Sequence, residues 1–526
     1  MKNSVPQSDD YFKNQISRLT EISIALSAEL HLDLLLEKIV GYARELTHAD
    51  GGTLYLLADN QLHWKIVQTD SLNIYGGGTT GTPIALPPLP LEKSNVSAYA
   101  ALMEKTVTVD DVYDSDEFDF TGPKKFDATH DYRTRSMLVV PMKNHEDSVI
   151  GVLSLINAID PRTGETIAFP AEIIILIEAL ASQAAVAITN ANLIEDTKAL
   201  FESLITVLAV AVDAKSEYMG NHVQRVAQFN LALARAINEA TEGPFADLHF
   251  SQDELLEIRV AGWLHDVGKV ITPVWVMDKA KKLETLFDRI ELINIRFGLI
   301  QRNLEIQAFE KKLEIMQNQA DSEKLLQVDE KLKRQLEELD ETLEFVIQCN
   351  QPGEFMEDEK LVRLNQIAQQ TYLDNGQEKP YLTGDEVHNL SICKGTITEE
   401  ERQIMNDHVV WTIKMLGQIP FTKHLKNVPL YAGQHHEKLN GNGYPYGLKA
   451  EELPLQSRIL ALADFYEALT AKDRPYKKPV PMDVALSILR RAAEDGEIDI
   501  DILELMIQEN VHEKFEETYE AVQIRS

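Results

Sequence analysis

Cysteine is almost missing from this chain. Only Cys349 and Cys393 occur in 526 residues, too few for a disulfide framework, and no Cys-x-x-Cys pair offers a zinc site. A reducing compartment is the plain expectation. Positive charge is also scarce: 51 Lys and Arg stand against 84 Asp and Glu, a formal net charge of −33. Long nucleic acid or an anionic membrane surface would be repelled. A small phosphorylated ligand stays possible where local cations or metals receive it. No apolar run is unbroken for long. The longest, Ile173 to Ile188, is interrupted by Glu178, Ser182 and Gln183, which reads as a buried helix rather than a membrane span. Met1 to Asp10 is polar and carries no signal-peptide core. A cytoplasmic protein of two to four domains is expected.

Helical spacing runs from about Tyr11 to Leu46 through Ile16, Leu19, Ile22, Leu26, Leu34, Leu35 and Ile39. Ala49–Leu57 and Leu62–Gln68 alternate like strands about an Asp59-Asn60 turn. A Gly/Pro-rich loop spans Gly76 to Pro90. Thr106–Val112, Ser136–Met142 and Ser148–Asn157 are further strand candidates, and a helix from Ala171 to about Leu204 closes the region. Helix, mixed strands and closing helix predict an α+β sensor module. The stretches Tyr132–Met142, Val149–Leu153 and Ser182–Ala191 resemble a GAF domain over residues 15 to 195, preceded by a tail (1–14). Some GAF domains bind cyclic nucleotides through an Asn-Lys…Phe…Asp-Glu signature. Here Asn157 and Phe169 are kept, but Ala158 replaces the Lys and Ile173-Ile174 stand at the acidic pair. The resemblance therefore implies a sensor whose small ligand is undefined. The closing helix continues without Gly or Pro to about residue 205, so it can relay a shift between domains, paired in a homodimer or as a single linker.

Beyond Leu204 nearly everything reads helical. Between 280 and 393, Leu286, Ile290, Ile293, Phe297, Ile300 and Leu304 step by fours and threes, as do Leu332, Leu336, Leu339, Leu343 and Val346. That is the seam of a coiled coil. A polar break at Gln319–Ser322 would fold the two helices into a hairpin, which either projects or lies on the main body.

Around this segment lie scattered His and Asp residues. His222 sits on an amphipathic helix, His265-Asp266 on a second, and His408 on a third opened by a Thr398-x-x-Glu401 capping box. His435-His436-Glu437 precedes the loop Asn440-Gly441-Asn442-Gly443-Tyr444-Pro445, and Asp464 interrupts an apolar helix. Any one of these has an ordinary reading as a core or surface residue, and His130-Asp131 reads as a chance pair. A carboxylate such as Asp464 in apolar surroundings is costly unless paired or metal-bound. Nitrogen and oxygen donors without thiolate suit Fe or Mn better than structural zinc. Two ions sharing a carboxylate are a standard tool for in-line attack on a phosphodiester.

The ordered set His222-x-x-Arg225, His265-Asp266-x-Gly268-Lys269, His408, His435-His436-Glu437-x-x-Asn440-Gly441-x-Gly443-Tyr444-Pro445, Arg458-x5-Asp464 and Arg474-Pro475-Tyr476 resembles the HD-GYP subfamily of His-Asp metallohydrolases. The implied architecture is an α+β GAF sensor domain followed by an all-α HD-type metallohydrolase domain (200–279 and 394–526) carrying a long helical, coiled-coil insertion (280–393). The resemblance implies two divalent ions. One takes His222, His265, Asp266 and Asp464. The other shares Asp266 and takes His408 and His435, with His436 nearby or ligating. Lys269, Arg474 and Lys477 would hold phosphate, and Gly443, Tyr444 and Pro445 would shape the loop over the substrate. The implied reaction is hydrolysis of cyclic di-GMP to pGpG, with onward cleavage to GMP left open, and with catalytic roles at Asp266 and Lys269. Hydrolysis of another cyclic dinucleotide, or a non-catalytic receptor signalling through the coiled coil, stay open beside it. Tyr218 stands where some relatives carry a Glu for a third metal, so a dinuclear site is expected. Val409 replaces the usual Pro after the middle His.

Overall fold

The computed structural model describes residues 7–79, 81–215, 221–318, 322–353, 355–471 and 480–523. It divides into two compact units, Met1–Phe201 and Glu202–Ser526.

The first unit opens with α1 (Gln7–Ala28) and α2 (Leu32–Thr47). The single helical run expected from Tyr11 to Leu46 is therefore two helices, because His31 turns extended (φ −84°, ψ 111°) and begins the second. Strands β1 (Ala49–Ala58), β2 (Gln61–Thr69), β3 (Ile74–Gly77) and β4 (Leu89–Pro90) follow, then α3 (Val96–Met103), β5 (Val107–Val109), α4 (Thr121–His130), β6 (Met137–Lys143), β7 (Val149–Ile159) and β8 (Thr166–Ile167). The sheet order is β3-β2-β1-β7-β6-β5, with β4 on β2 and β8 on β7. All these pairings are antiparallel. Alternation along the strands sends side chains to two cores, as a pleat requires. Leu54, Leu138, Val140, Leu153 and Leu155 meet α1, α2 and the closing helix. Tyr55, Met137, Val139 and Val152 meet α3 and Phe120 on the other face.

Asn157 serves the fold. Its Oδ1 accepts from Arg135 N at 2.7 Å, and its Nδ2 donates to Arg133 O at 2.8 Å and to Tyr132 Oη at 2.9 Å. Two helices, α3 and α4, went unexpected in the sequence, both too short for a helical period to show, as did the short strands β3, β4 and β8. The closing helix α5 runs from Ala171 to Asp213, further than Leu204. It is long and apolar enough to cross a membrane by length and composition alone. Its apolar residues Ile177, Leu180, Ala184 and Ile188 fill the core instead.

The second unit is mainly helical. Its body comprises α6 (His222–Glu239), α7 (Gln252–Leu264) and α8 (Val274–Met277), then α13 (Glu399–Leu416), α14 (Val428–Gly433), α15 (Leu455–Thr470), α16 (Met482–Glu494), α17 (Ile500–Gln508) and α18 (Val511–Gln523). Ser251 and Thr398 open α7 and α13 with complete capping boxes. Val226, Phe229, Leu233, Ile258, Leu264, Val409, Ile459, Leu462 and Tyr466 are buried in this body.

Between α8 and α13 come α9 (Ile290–Gln317), α10 (Ser322–Cys349), α11 (Asp358–Ala368), β9 (Thr371–Asp374), β10 (Gln377–Pro380) and α12 (Gly384–Leu390). They own a core built from Leu283, Ile293, Phe297, Ile300, Val346, Leu364 and Leu390. Two expectations need correction here. Leu286 is 91% exposed, because it lies in the turn before α9 rather than on its seam. The segment is also not purely helical, since β9 and β10 form an antiparallel hairpin. The break at Gln319–Asp321 lies outside the described residues. The two ends of the segment lie side by side. Thr396 Oγ1 donates to Lys279 O at 2.8 Å, and buried Lys279 Nζ donates to Asn389 Oδ1 at 2.9 Å and to both Glu401 carboxylate oxygens at 2.8 Å.

Candidate metal centre

Asp266 is the centre of the constellation. It is 1% exposed and stands in the turn between α7 and a 3-10 turn at Val267–Val270, so His265-Asp266 caps a helix rather than lying within one. Its Oδ2 is 3.3 Å from His222 Nε2 and 3.2 Å from His265 Nε2. Its Oδ1 is 3.3 Å from His408 Nε2 and 3.8 Å from His435 Nε2. Asp464 Oδ1 closes the first group at 3.4 Å from His222 Nε2, and its Oδ2 is 3.9 Å from His436 Nδ1. Two sets of donor atoms gather within 4.8 Å: His222, His265 and Asp266, and His408, His435 and His436.

Each inner imidazole is held from behind. His222 Nδ1 meets Glu467 Oε2, His265 Nδ1 meets Gly262 O at 2.8 Å, His408 Nδ1 meets Met405 O, and His435 Nδ1 meets Ala432 O at 2.7 Å. Such contacts fix ring orientation and leave Nε2 as the free donor. The Nε2 atoms of all four rings, and Asp266 Oδ1, are buried without a hydrogen-bond partner. Orphaned buried nitrogens are expensive, and four aimed at one carboxylate fit a divalent cation. The described donor groups contain no cysteine.

Burial works against the charge on His222, yet the carboxylates of Asp266, Asp464 and Glu467 outweigh it and hold the imidazole well above its ordinary range. Burial likewise opposes ionisation of Asp266 and Asp464, but the surrounding imidazoles, with Lys269 beside Asp266, keep both well below the usual carboxylate range. Burial pushes His435 well down and His436 down to about 4. A proton on His222 must therefore leave when an ion takes its Nε2, whereas His435 and His436 are already neutral at pH 7. Metal uptake is expected to release a proton and to strengthen by up to about tenfold per pH unit below the raised His222 pKa. Calorimetry in buffers of different ionisation enthalpy reads this directly. Uptake without proton release near neutrality would contradict it.

Lys269 Nζ pairs with Asp266 Oδ2, so this amine neutralises the shared carboxylate while lying 18% exposed at the rim. Tyr444 lies over His436 with ring centroids 4.8 Å apart. Its loop is tied down by Glu437, which accepts from Tyr446 N at 2.8 Å and Leu448 N at 2.9 Å. Gly443 passes so close to this turn that a Cβ would stand 2.3 Å from Lys438 N. Arg474, Lys477, Pro475, Tyr476 and Tyr218 lie outside the described residues. Two contributors escaped sequence reasoning. Glu467 is one, although its position three residues after Asp464 on one helix face was a visible signal. Asp213, at the end of α5, is the other. It accepts weakly from Val223 N, and burial pushes its carboxyl up to about 7. Nothing in the local sequence marks it.

Family comparison adds two matches: the HD domain at residues 382–502 and the GAF domain at residues 31–188. The HD match takes in His408, His435, His436 and Asp464 but begins after His222 and His265-Asp266, which the inserted segment separates from them. The chain is 40% identical over 96 residues to the 3′3′-cGAMP-specific phosphodiesterase 3 of Vibrio cholerae, covering 18% of this chain and 20% of that protein. It is 39% identical over 95 residues to the cyclic di-GMP phosphodiesterase response regulator RpfG of Xanthomonas campestris, covering 18% and 25%. The matched stretch thus spans a quarter or less of these curated relatives. Among solved structures, the GAF domain of an Acinetobacter phosphoenolpyruvate-protein phosphotransferase is similar at 16% identity and a TM-score of 0.27, covering 37% of this chain and 99% of that one.

Proposed function

We propose, from the premise that this chain carries a GAF domain and an HD domain, that it is a metal-dependent phosphodiesterase opening cyclic di-GMP to pGpG under control of its GAF module. The observation that carries this reading is the convergence of four orphaned imidazole nitrogens on one buried carboxylate. His222, His265, Asp266 and Asp464 would hold one divalent ion, and Asp266, His408, His435 and His436 a second. The nitrogen and oxygen donors favour Fe or Mn. When bound, such ions supply Lewis acidity toward phosphoryl oxygens and lower the pKa of water.

The chain's own groups do the rest. Asp266 lends one oxygen to each donor set, which ties their spacing to one rigid turn. Glu467 and the backbone carbonyls behind the rings keep every Nε2 aimed inward. Lys269, with Arg474 and Lys477, would supply the positive charge a phosphodiester needs in an acidic protein. Burial and the negative charges of Asp464 and Asp266 raise the Tyr444 pKa, so its phenol stays protonated and can donate to a phosphate or base. A cytoplasmic homodimer is the proposed setting, because α5 exposes Leu193, Leu200, Leu204 and Val207 beyond its buried part.

The similarity to a 3′3′-cGAMP-specific enzyme favours a second substrate as the competitor. Purified protein loaded anaerobically with Fe(II) or Mn(II) is incubated with cyclic di-GMP or 3′3′-cGAMP, beside an Asp266→Ala control, and the products are separated by chromatography. pGpG from cyclic di-GMP, only with metal and only in the native protein, is the expected result. Exclusive cleavage of 3′3′-cGAMP would overturn the base specificity. Binding without cleavage under either metal would replace the enzyme with a receptor.

A further inference from the structure

Helix α9 is apolar on two faces, and its neighbour uses only one. The inner face, with Ile293, Phe297 and Ile300 at 2% exposure or less, is buried in the core of the inserted segment. A second stripe steps by threes and fours along the outside. Ile295, Leu299, Ile306, Phe309, Leu313 and Met316 are 64, 47, 55, 70, 49 and 59% exposed. Leu292, 44% exposed, begins the stripe, and Arg302 fills its one polar place. This is an unbroken heptad a/d pattern. Helix α10, by contrast, turns charged residues such as Lys333 and Glu337 outward. The outer stripe of α9 therefore contributes nothing to the hairpin it belongs to.

We infer that this stripe is an antiparallel helix-pairing surface for a second copy of the same chain. The argument rests on the stripe and not on the hydrolase reading. Its exposed apolar surface is on the order of 700 Å² per copy, above the patch size ordinary for a monomer, and roughly twice that for two copies suits a stable interface. Direction follows from Arg302. In a parallel pair the two guanidinium groups would meet in one core layer, a like-charge clash in a desolvated seam. In an antiparallel pair centred on residue 304 every stripe position finds a partner: Leu292 opposite Met316, Ile295 opposite Leu313, Leu299 opposite Phe309, and Arg302 opposite Ile306 of the second copy. The two Arg302 groups then flank the two-fold beside the Glu305 carboxylates. In one copy Arg302 Nη1 already donates to Glu305 Oε2 at 2.7 Å. Two cations and two anions balance there, and the polar pair sets the register.

The test uses the full chain in a Cys393→Ser background, since Cys349 is buried. Differently tagged copies carrying Leu299→Cys and Phe309→Cys are co-expressed and oxidised. A disulfide between the two tagged copies is expected, at least about tenfold above either variant alone, and Ile306→Glu added to both copies should abolish it. The far-UV circular dichroism of Ile306→Glu should match the parent, because the stripe is not part of the monomer's core. Cross-linking no greater than that of a Glu337→Cys pair on α10 overturns the inference. So does efficient self-cross-linking of Leu299→Cys, which reports parallel pairing.

Discussion

Replacing Asp266 by Asn is expected to lower the proposed cyclic-dinucleotide hydrolysis by at least about 10³-fold, or about 4 kcal/mol of transition-state stabilisation. The change keeps the shape of the side chain and removes its charge. Both carboxylate oxygens are in use: Oδ2 faces His222 and His265, and Oδ1 faces His408 and His435. An amide nitrogen cannot serve as the second donor, so one substitution would disable both proposed metal positions together. Lys269 also loses its anionic partner, which leaves a cation at the rim facing the two donor sets. The readouts are turnover and metal content on the same sample, with the metal-free melting midpoint as a folding control. Retention of two metal equivalents and more than a tenth of the activity would remove Asp266 from the centre of the site. His436→Ala should cost less than Asp266→Asn, since His436 is 28% exposed and stands 3.9 Å from Asp464.

The donor set was legible because each member sits in a local pattern that announces itself: a His-Asp pair before Gly and Lys, paired His before a Gly-rich turn, an Asp in an apolar helix. What brings them together was not. Asp266 meets His408 across a separation of 142 in sequence number, and the side-by-side closure at Lys279 and Thr396 helps make that possible. Strands β1, β6 and β7 were readable as short runs rich in apolar and β-branched residues, because both of their faces meet a core. Short elements escaped it. Helix α4 offers ten residues with a single buried side chain, Asp127, so no apolar period exists to read. The β9–β10 hairpin did leave a signal, Asp374-Asn375-Gly376, with Asn375 and Gly376 both at positive φ (51° and 79°). An Asn-Gly pair is the strongest short-range mark of a tight hairpin, but the coiled-coil stepping earlier in the segment drew the reading toward helix. The orphaned Nε2 atoms belong to a third kind. Which ring nitrogen is free depends on the group behind it, a backbone carbonyl for His265, His408 and His435 and the Glu467 carboxylate for His222, and this is settled by the fold.

Gly268→Ala should be the most damaging small change in the second unit. A Cβ at this position would stand 1.9 Å from His408 O, 2.6 Å from Thr412 N and 2.8 Å from Thr412 Oγ1. The first two are backbone atoms of α13, and a rotamer change cannot clear them. The 3-10 turn and α13 must separate, and two bonds stretch when they do. Gly268 N donates to Thr412 Oγ1 at 3.0 Å, and Thr412 Oγ1 donates to His265 O at 3.0 Å. A forced gap in a close-packed interior costs about 3 kcal/mol or more, which for a unit of this size lowers the melting midpoint by roughly 4 °C or more. The same displacement draws His408 away from Asp266 Oδ1, now 3.3 Å apart, so the second metal equivalent should weaken before the first, which rests on α6, α7 and α15. Thermal unfolding and metal titration on one preparation separate the two effects. A midpoint within about 2 °C of the parent, with both equivalents intact, would mean that α13 yields to the methyl group and that the contact between this turn and the His408 helix does not set the spacing of the site.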